Sequence, residues 1–428
     1  MPAIQPFRAL LFAPRLRPEL DRLVAPPYDV IPEDARAALA AGHPRNIVHL
    51  DLPRAGGGDP YAEAGRRLRE WVAAGDLERD GRPALYACEQ RFRTPSGREA
   101  RRRGFLARLV LEPFESGIVI PHEKTLEQPR VDRQRLLAAT RTHLSPVFLL
   151  HPDPGGDISR MMEETLAADP LLRARDGHGT ESRLVRIEEG PRTARLTERL
   201  GNTWALIADG HHRYESALAY RDARRAEGRD DAGTVLAFFC SLEDPGLEIF
   251  PIHRLVHSVP GFDPSRFLAG LQGLFEVQEI DTEAALRAAL AERRARPGAF
   301  GLALRDRPGF YLAQWKEGAG LERPEMTAIP APLRRLDVIL LHRLVLEGLL
   351  GISPDAQARQ TNLDYVKDDG EWFGRVPARD RRVDLAVLMN PTRIEQVIDV
   401  TRGGYRLPQK STYFHPKVLT GLALDPLD

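Results

Sequence analysis

Cysteine is almost missing: there are two in 428 residues, Cys88 and Cys240, each inside an apolar or strand-like segment. Two thiols so placed exclude a disulfide framework and a cysteine-based zinc centre. Net charge is also missing, since Lys+Arg and Asp+Glu both total 61. That balance argues against a dedicated nucleic-acid binder, although it leaves room for a local basic patch. No run approaches the ~20 apolar residues that span a bilayer. The start, Met1 to Phe7, lacks a basic segment followed by an apolar one. The expectation is no secretory leader and a cytoplasmic address. There is no internal repeat, and no low-complexity tract beyond Gly56-Gly57-Gly58. Neither a dinucleotide fingerprint nor a nucleophile elbow occurs. Lys410-Ser411-Thr412 has the look of a P-loop end, but Gly403 and Gly404 stand too near it, so a P-loop is rejected.

What is present is an ordinary globular composition, 42% apolar and 29% charged. The length suggests two or three domains of ~100–200 residues. A composition shift at Pro260-Gly261-Phe262-Asp263-Pro264 sets the expected boundary. The pattern predicts strands at Asn46–Leu50, Ala84–Phe92, Arg101–Leu111, Trp204–Ala208 and Val235–Leu242. It predicts helices at Pro60–Ala74, Val131–Arg141, His212–Arg225 and Arg335–Leu350. The turn Thr94-Pro95-Ser96-Gly97 joins two of these strands into a hairpin.

The densest polar cluster is Asp209-Gly210-His211-His212-Arg213, where an apolar strand ends and a helix begins. Free N–H groups and the positive dipole end in a first helical turn suit a phosphate. Gly210 permits close approach, and Arg213 can chelate an anion with two parallel bonds. The competing reading makes Asp209 an N-cap and the histidines packed or solvated residues. A second cluster, His122-Glu123-Lys124-Thr125, also follows a short buried strand. There Glu123 suits deprotonation of a hydroxyl or a metal. The alternative is a surface turn with a Lys–Glu pair. A third cluster spans Pro408 to Lys417, with Lys410 as a phosphate or carboxylate contact and Ser411 and Thr412 beside it. Tyr28, His253 and Arg254 are weaker substrate-contact candidates, and His342 reads as structural. A zinc triad of His122, His211 and His212 is disfavoured, because adjacent histidines seldom ligate one metal and the i,i+4 spacing is absent.

At Ile207 to Leu218 the chain resembles the bacterial and archaeal family called domain of unknown function one-thousand-and-fifteen. Further segments carry the same resemblance: the Pro-Phe-Arg-Ala start, Ala25-Pro26-Pro27-Tyr28-Asp29-Val30, Pro121-His122-Glu123-Lys124-Thr125, Asp132-Arg133, Ser145-Pro146 and Pro408 to Phe414. A shorter resemblance is chemically more informative. Asp-Gly-His-His-Arg is similar to the phosphate-binding motif of the ParB/sulfiredoxin fold, and the free-serine kinases of that fold carry a near-identical run. There the motif grips nucleotide phosphates, and a glutamate elsewhere acts as base on the serine hydroxyl. The resemblance implies an α+β fold: a ParB/sulfiredoxin-like mixed-sheet core within residues 1–260, and a C-terminal α/β domain, 261–428, closing over the site. It implies a kinase using ATP or ADP on a small hydroxylated metabolite, free serine first. Asp209, His211, His212 and Arg213 match the motif directly, and Glu123 takes the base role by its place at a strand end. Mg²⁺ would bridge the phosphates with Asp209 nearby, and Lys124 or Lys410 would steady the transferred group. Three rivals stay open: a ParB-like regulator binding CTP, a metal-dependent hydrolase using His122, Glu123 and the histidine pair, and a non-catalytic scaffold. The expected partners are a nucleotide and a small-molecule substrate, with no membrane and no nucleic acid; the oligomeric state, a homodimer among the options, is left open.

Overall fold

The computed structural model describes residues 1–94, 97–123, 127–367 and 369–427, with the side chain of Asp369 set aside. The chain divides into two compact units. One comprises Met1–Pro121, Thr125–Glu248 and Pro416–Asp428; the other comprises His122–Lys124 and Ile249–His415. The division thus falls at Glu248/Ile249, ahead of the composition shift at Pro260, and the last residues return to the first unit. Composition could not register that return, because it depends on strand pairing distant in sequence: Asp425 and Pro426 pair with His143 and Thr142.

The first unit is built on a nine-stranded sheet. Its path runs Val119–Pro121, Ala205–Asp209, Val147–His151, Thr234–Ser241, Glu99–Val110, Ala84–Arg93, Glu181–Glu188, Leu172–Arg175, and the ninth strand, Ile4–Gln5, pairs with Glu99–Val110 off this path. The sheet is mixed. Ala205–Asp209 lies parallel to Val119–Pro121 but antiparallel to Val147–His151. The central strands read as near-continuous apolar runs, and all five residues of Ala205–Asp209 are buried, as a sheet covered on both faces requires. The expected hairpin is present, Ala84–Arg93 pairing antiparallel with Glu99–Val110; the predicted turn residues Pro95 and Ser96 lie outside the described residues. Helices Glu127–Thr140 and His211–Ala226 pack side by side. They place Leu137, Tyr214, Ala217 and Tyr220 in one apolar core with Phe105, Val147, Leu149, Ile207 and Phe239. Each such side chain contributes ~1.5–3 kcal/mol when fully withdrawn from water.

One strand expectation fails. Asn46–Leu50 is a turn leading into the short helix Val48–Asp51. The Asn46 carboxamide decides this: its oxygen accepts from Val48 N–H at 2.9 Å, and its nitrogen donates to the Arg22 and Val24 carbonyls. A side chain that satisfies the backbone locally removes the need for a ladder. Helix Pro60–Ala73 starts as predicted, with Asp59 accepting from Tyr61 N–H at 3.1 Å.

The second unit holds a six-stranded antiparallel sheet in the order Phe275–Ile280, Phe310–Trp315, Ala299–Leu304, Val383–Met389, His253–His257, Leu363–Val366. The predicted helix over 335–350 is not uniform. An α-turn, Asp337–Leu340, passes into a π-helix, Leu341–Glu347. Here Gly348 N–H reaches back to the Arg343 carbonyl, and the His342 carbonyl accepts from the Gln357 amide at 3.3 Å. On this segment His342 is buried, and its Nε2 accepts from Arg254 Nε at 3.3 Å.

Candidate functional site

The strand Ala205–Asp209 carries an irregularity at its end. Ile207 opposes Leu149 and Asp209 opposes Phe148, so Ala208 is the extra residue of a bulge. Bulges re-aim the side chains that follow them. The chain then turns at Gly210, which sits at φ 89°, and the 16-residue helix His211–Ala226 begins. Gly210 is the N-cap residue, and among the described residues no side chain caps this first turn. Asp209 is therefore not an N-cap; its carboxylate faces cations instead. Arg213 Nη2 donates to Asp209 Oδ2 at 2.6 Å, Arg213 Nη1 donates to the Pro146 carbonyl, and Lys417 Nζ donates to Asp209 Oδ1. The Nε–H of Arg213 is buried and has no hydrogen-bond partner among the described residues. A buried unpaired donor costs ~1–3 kcal/mol, so it marks a place where an acceptor is wanted.

Gly210 is needed twice. Its φ lies in the left-handed region, and a Cβ there would stand 2.9 Å from Arg213 Nε. Gly210→Ala is expected to cost ~1–3 kcal/mol, read as a Tm several degrees lower. It should also shift the guanidinium and weaken anion binding. An unchanged Tm with unchanged binding would remove Gly210 from the site.

Lys417 is presented to Asp209 by a buried polar scaffold. Gln90 and Arg102 are wholly buried. Gln90 Nε2 donates to the Lys417 carbonyl at 3.0 Å, and Arg102 donates to the Pro416 carbonyl and to Gln90 Oε1. The Arg102 guanidinium lies 4.4 Å over the Phe148 ring. Burial alone would raise the Asp209 pKa, but Lys417, Arg213 and His211 together outweigh it and hold the carboxyl well below the usual range. Both carboxylate oxygens thus already face cations. Asp209 does not fit as a Mg²⁺ ligand: a divalent ion would enter a position held by an ammonium and a guanidinium. Its role is to pair Arg213 with Lys417. Among the described residues, no three His, Cys, Asp or Glu side chains gather to hold a metal.

Beside this turn in the first unit lies a second ionic group. Arg133 Nη1 donates to Asp51 Oδ1 at 2.9 Å, and Thr420 Oγ1 lies 3.4 Å from Asp51 Oδ2. The Arg133 guanidinium sits 4.0 Å over the Tyr28 ring. Burial raises the Tyr28 pKa, Asp29 adds to the rise, and Arg133 and Arg213 act against it. Arg213 therefore lies within electrostatic reach of Tyr28 and Asp51.

In the second unit the structure gathers residues that are far apart in sequence. Glu123 forms a parallel bridge with Leu407, and Leu407 N–H donates to the His122 carbonyl at 2.8 Å. His122 Nε2 lies 2.7 Å from Thr412 Oγ1. Ser411 N–H donates to Glu123 Oε1 at 3.3 Å. Arg254 Nη2 donates to the Lys410 carbonyl at 3.0 Å. Here His122, Glu123, Arg254, Lys410, Ser411 and Thr412 meet. His253 is fully buried, and its Nδ1 accepts from Met389 N–H at 3.2 Å, which is a packing role. Lys124 lies outside the described residues.

Two contributors escaped sequence reasoning. Lys417 sat at the end of the third cluster without a role, and its meeting with Asp209 spans 208 positions. Gln90 carried no signal at all, lying inside a predicted strand. For Lys417 the available hint was its place after Pro416, just past a polar run.

A mixed-sheet protein with an uncapped, cation-rich strand-to-helix turn is the class that fold and site define. The chain belongs to the family described as Protein of unknown function (DUF1015), whose model matches residues 4–339. No curated protein matches the chain. Among solved structures it is similar to three proteins. One is a conserved hypothetical protein from Pyrococcus furiosus, at 15% identity over 70% of this chain and 87% of that one, with a TM-score of 0.34. Another is free serine kinase in complex with AMP, at 15% identity over 70% and 84%, with a TM-score of 0.33. The third is C-terminally truncated SbnI from Staphylococcus aureus, at 11% identity over 75% and 87%, with a TM-score of 0.36. Scores of this size carry no argument about activity. Among the described residues no helix is long and apolar enough to cross a membrane.

Proposed function

We propose that the protein is a nucleotide-dependent kinase that phosphorylates the hydroxyl of a small metabolite, with ATP or ADP as donor and free serine the leading acceptor. The observation that carries this reading is the buried, unpartnered Arg213 Nε–H at the uncapped start of a 16-residue helix. Arg213 and Lys417 both bring positive charge to the turn, where each pairs with the Asp209 carboxylate. A phosphate oxygen supplies the missing acceptor and answers that charge. The Asp-Gly-His-His-Arg run, with its likeness to the phosphate-gripping motif of free-serine kinases, supports the nucleotide as the source of the phosphate.

In this reading His211, His212 and Arg213 hold the donor phosphates through the first helical turn and the guanidinium. Glu123 accepts the proton from the acceptor hydroxyl as its oxygen attacks the terminal phosphorus. The bond to the bridging oxygen breaks, leaving ADP from ATP or AMP from ADP. The chemistry asks chiefly for positioning and charge neutralisation, which buried cations provide.

The test is transfer of label from γ-labelled ATP or β-labelled ADP, with Mg²⁺ present, to a panel of hydroxylated amino acids and metabolites. A labelled acceptor is the expected result. Glu123→Gln should lower turnover by ~10²–10⁴-fold while nucleotide affinity stays within about twofold. Absence of a labelled product with every acceptor and both donors overturns the reading.

A further inference from the structure

Arg254 poses an electrostatic problem that the kinase reading leaves unanswered. It lies on the strand His253–His257 and is 1% exposed. A guanidinium taken out of water costs several kcal/mol unless an anion or dense hydrogen bonding repays it. Among the described residues its acceptors are all neutral: the Ile252 carbonyl, His342 Nε2 at 3.3 Å and the Lys410 carbonyl at 3.0 Å, with the Tyr365 ring 4.7 Å away. Among the described residues it forms no ion pair. Burial pulls its pKa down to about 10, and the fields of Tyr365 and Glu123 oppose that only in part.

The bond to Lys410 shows what this buried charge supports. Lys410 adopts φ 58°, a left-handed conformation that costs a side-chain-bearing residue ~1 kcal/mol or more. The conformation is held from several sides. Arg254 fixes the Lys410 carbonyl, Glu123 accepts from the next N–H, Ser411 Oγ donates to the Pro408 carbonyl at 2.6 Å, and Thr392 Oγ1 donates to the Ser411 carbonyl at 2.8 Å. The ammonium of Lys410 is half-buried and forms no ion pair among the described residues. Among the described residues, two cations therefore stand in one cluster with one carboxylate, Glu123. One monoanion balances them. A phosphate dianion would be repelled by Glu123 at this spot, whereas a carboxylate on Lys410 leaves an attached hydroxyl free to donate to Glu123.

We propose that Lys410, seated by Arg254, holds the carboxylate of the acceptor, so that the substrates are small hydroxy-carboxylates. This rests on the kinase reading for its role but not for its existence as a binding site. Lys410 is the contacting residue, and Arg254 is a positioning residue.

The experiment is calorimetric titration of the full chain with L-serine and glycerate, which carry the carboxylate, and with L-serinamide and glycerol, which do not. Inorganic phosphate serves as the control anion. At least one carboxylate should bind about tenfold or more tighter than its neutral counterpart, a difference of ~1.4 kcal/mol. Lys410→Met should abolish that preference while ATP affinity stays within twofold. Arg254→Met removes a buried hydrogen-bonding group and so tests folding as well as binding; the decision rests on the Lys410 variant. The proposal is overturned if no carboxylate binds, if serinamide binds as well as serine, if phosphate competes better than either carboxylate, or if Lys410→Met keeps the preference. If the preference holds and no labelled product ever forms, the kinase reading fails and the subsite stands. If serinamide is phosphorylated as readily as serine, the subsite fails and the kinase reading stands.

Discussion

Arg213→Lys is expected to weaken ATP or ADP binding by about 10²-fold, ~2.7 kcal/mol, with turnover falling at least as far. Lysine keeps the positive charge, so the loss measures geometry. The guanidinium spends Nη2 on Asp209 and Nη1 on Pro146, and holds Nε–H in reserve. A lysine ammonium is a compact point charge, which cannot serve Asp209 and Pro146 from fixed positions and still offer a third donor to a phosphate. Some loss of Tm accompanies the change, because the Pro146 carbonyl loses its partner. Titration by calorimetry, with a thermal melt beside it, separates the two effects. Nucleotide affinity within threefold of the parent would remove Arg213 from the phosphate site.

Lys417→Met is expected to destabilise the first unit by ~3 kcal/mol or more. The methionine fills a similar volume but leaves the buried Asp209 carboxylate without its ammonium partner, facing Arg213 and His211. The direction with pH follows from the depressed pKa of Asp209. A carboxyl held lower in the folded state than in the unfolded chain contributes stability above its unfolded pKa of ~3.9, and that stability is lost as pH falls toward the folded value. Removing Lys417 brings the folded pKa back up. The variant's deficit should therefore be largest near neutral pH and should shrink as pH falls through about 4, where the parent loses its Asp209 contribution and the variant has little left to lose. Asp209→Asn in the Lys417→Met background should recover part of the loss, since the buried charge is gone. Equal acid sensitivity of parent and variant would show that the Lys417 pair contributes nothing.

Much of the local architecture is legible along the chain. The apolar run Trp204–Ala208 followed by Asp209-Gly210 reads as strand and turn, and the residues after it read as a helix; the structure has Ala205–Asp209 and His211–Ala226. The hairpin of Ala84–Arg93 with Glu99–Val110 was equally plain. These signals are short-range, a matter of periodicity and turn chemistry within about fifteen residues. Asn46–Leu50 misled for a reason also local but finer: its apolar letters suit a strand, and one carboxamide satisfying the backbone overrode them.

Residue order alone makes the protein a mixed α and β molecule without disulfides, and puts its densest chemistry in a polar turn between a buried strand and a helix. Residue identity and spacing are enough for that. What Asp209 does becomes visible in the folded chain alone. Read in the chain it was a capping or Mg²⁺-binding carboxylate; in the fold it is the anion shared by Arg213 and Lys417. The same holds for Glu123, Arg254 and Lys410, which meet across nearly three hundred positions. The physical reason is one of range. Propensity and periodicity act over a few residues, whereas the state of a buried charge depends on every cation that the fold brings within a few ångströms of it, whatever the distance along the chain.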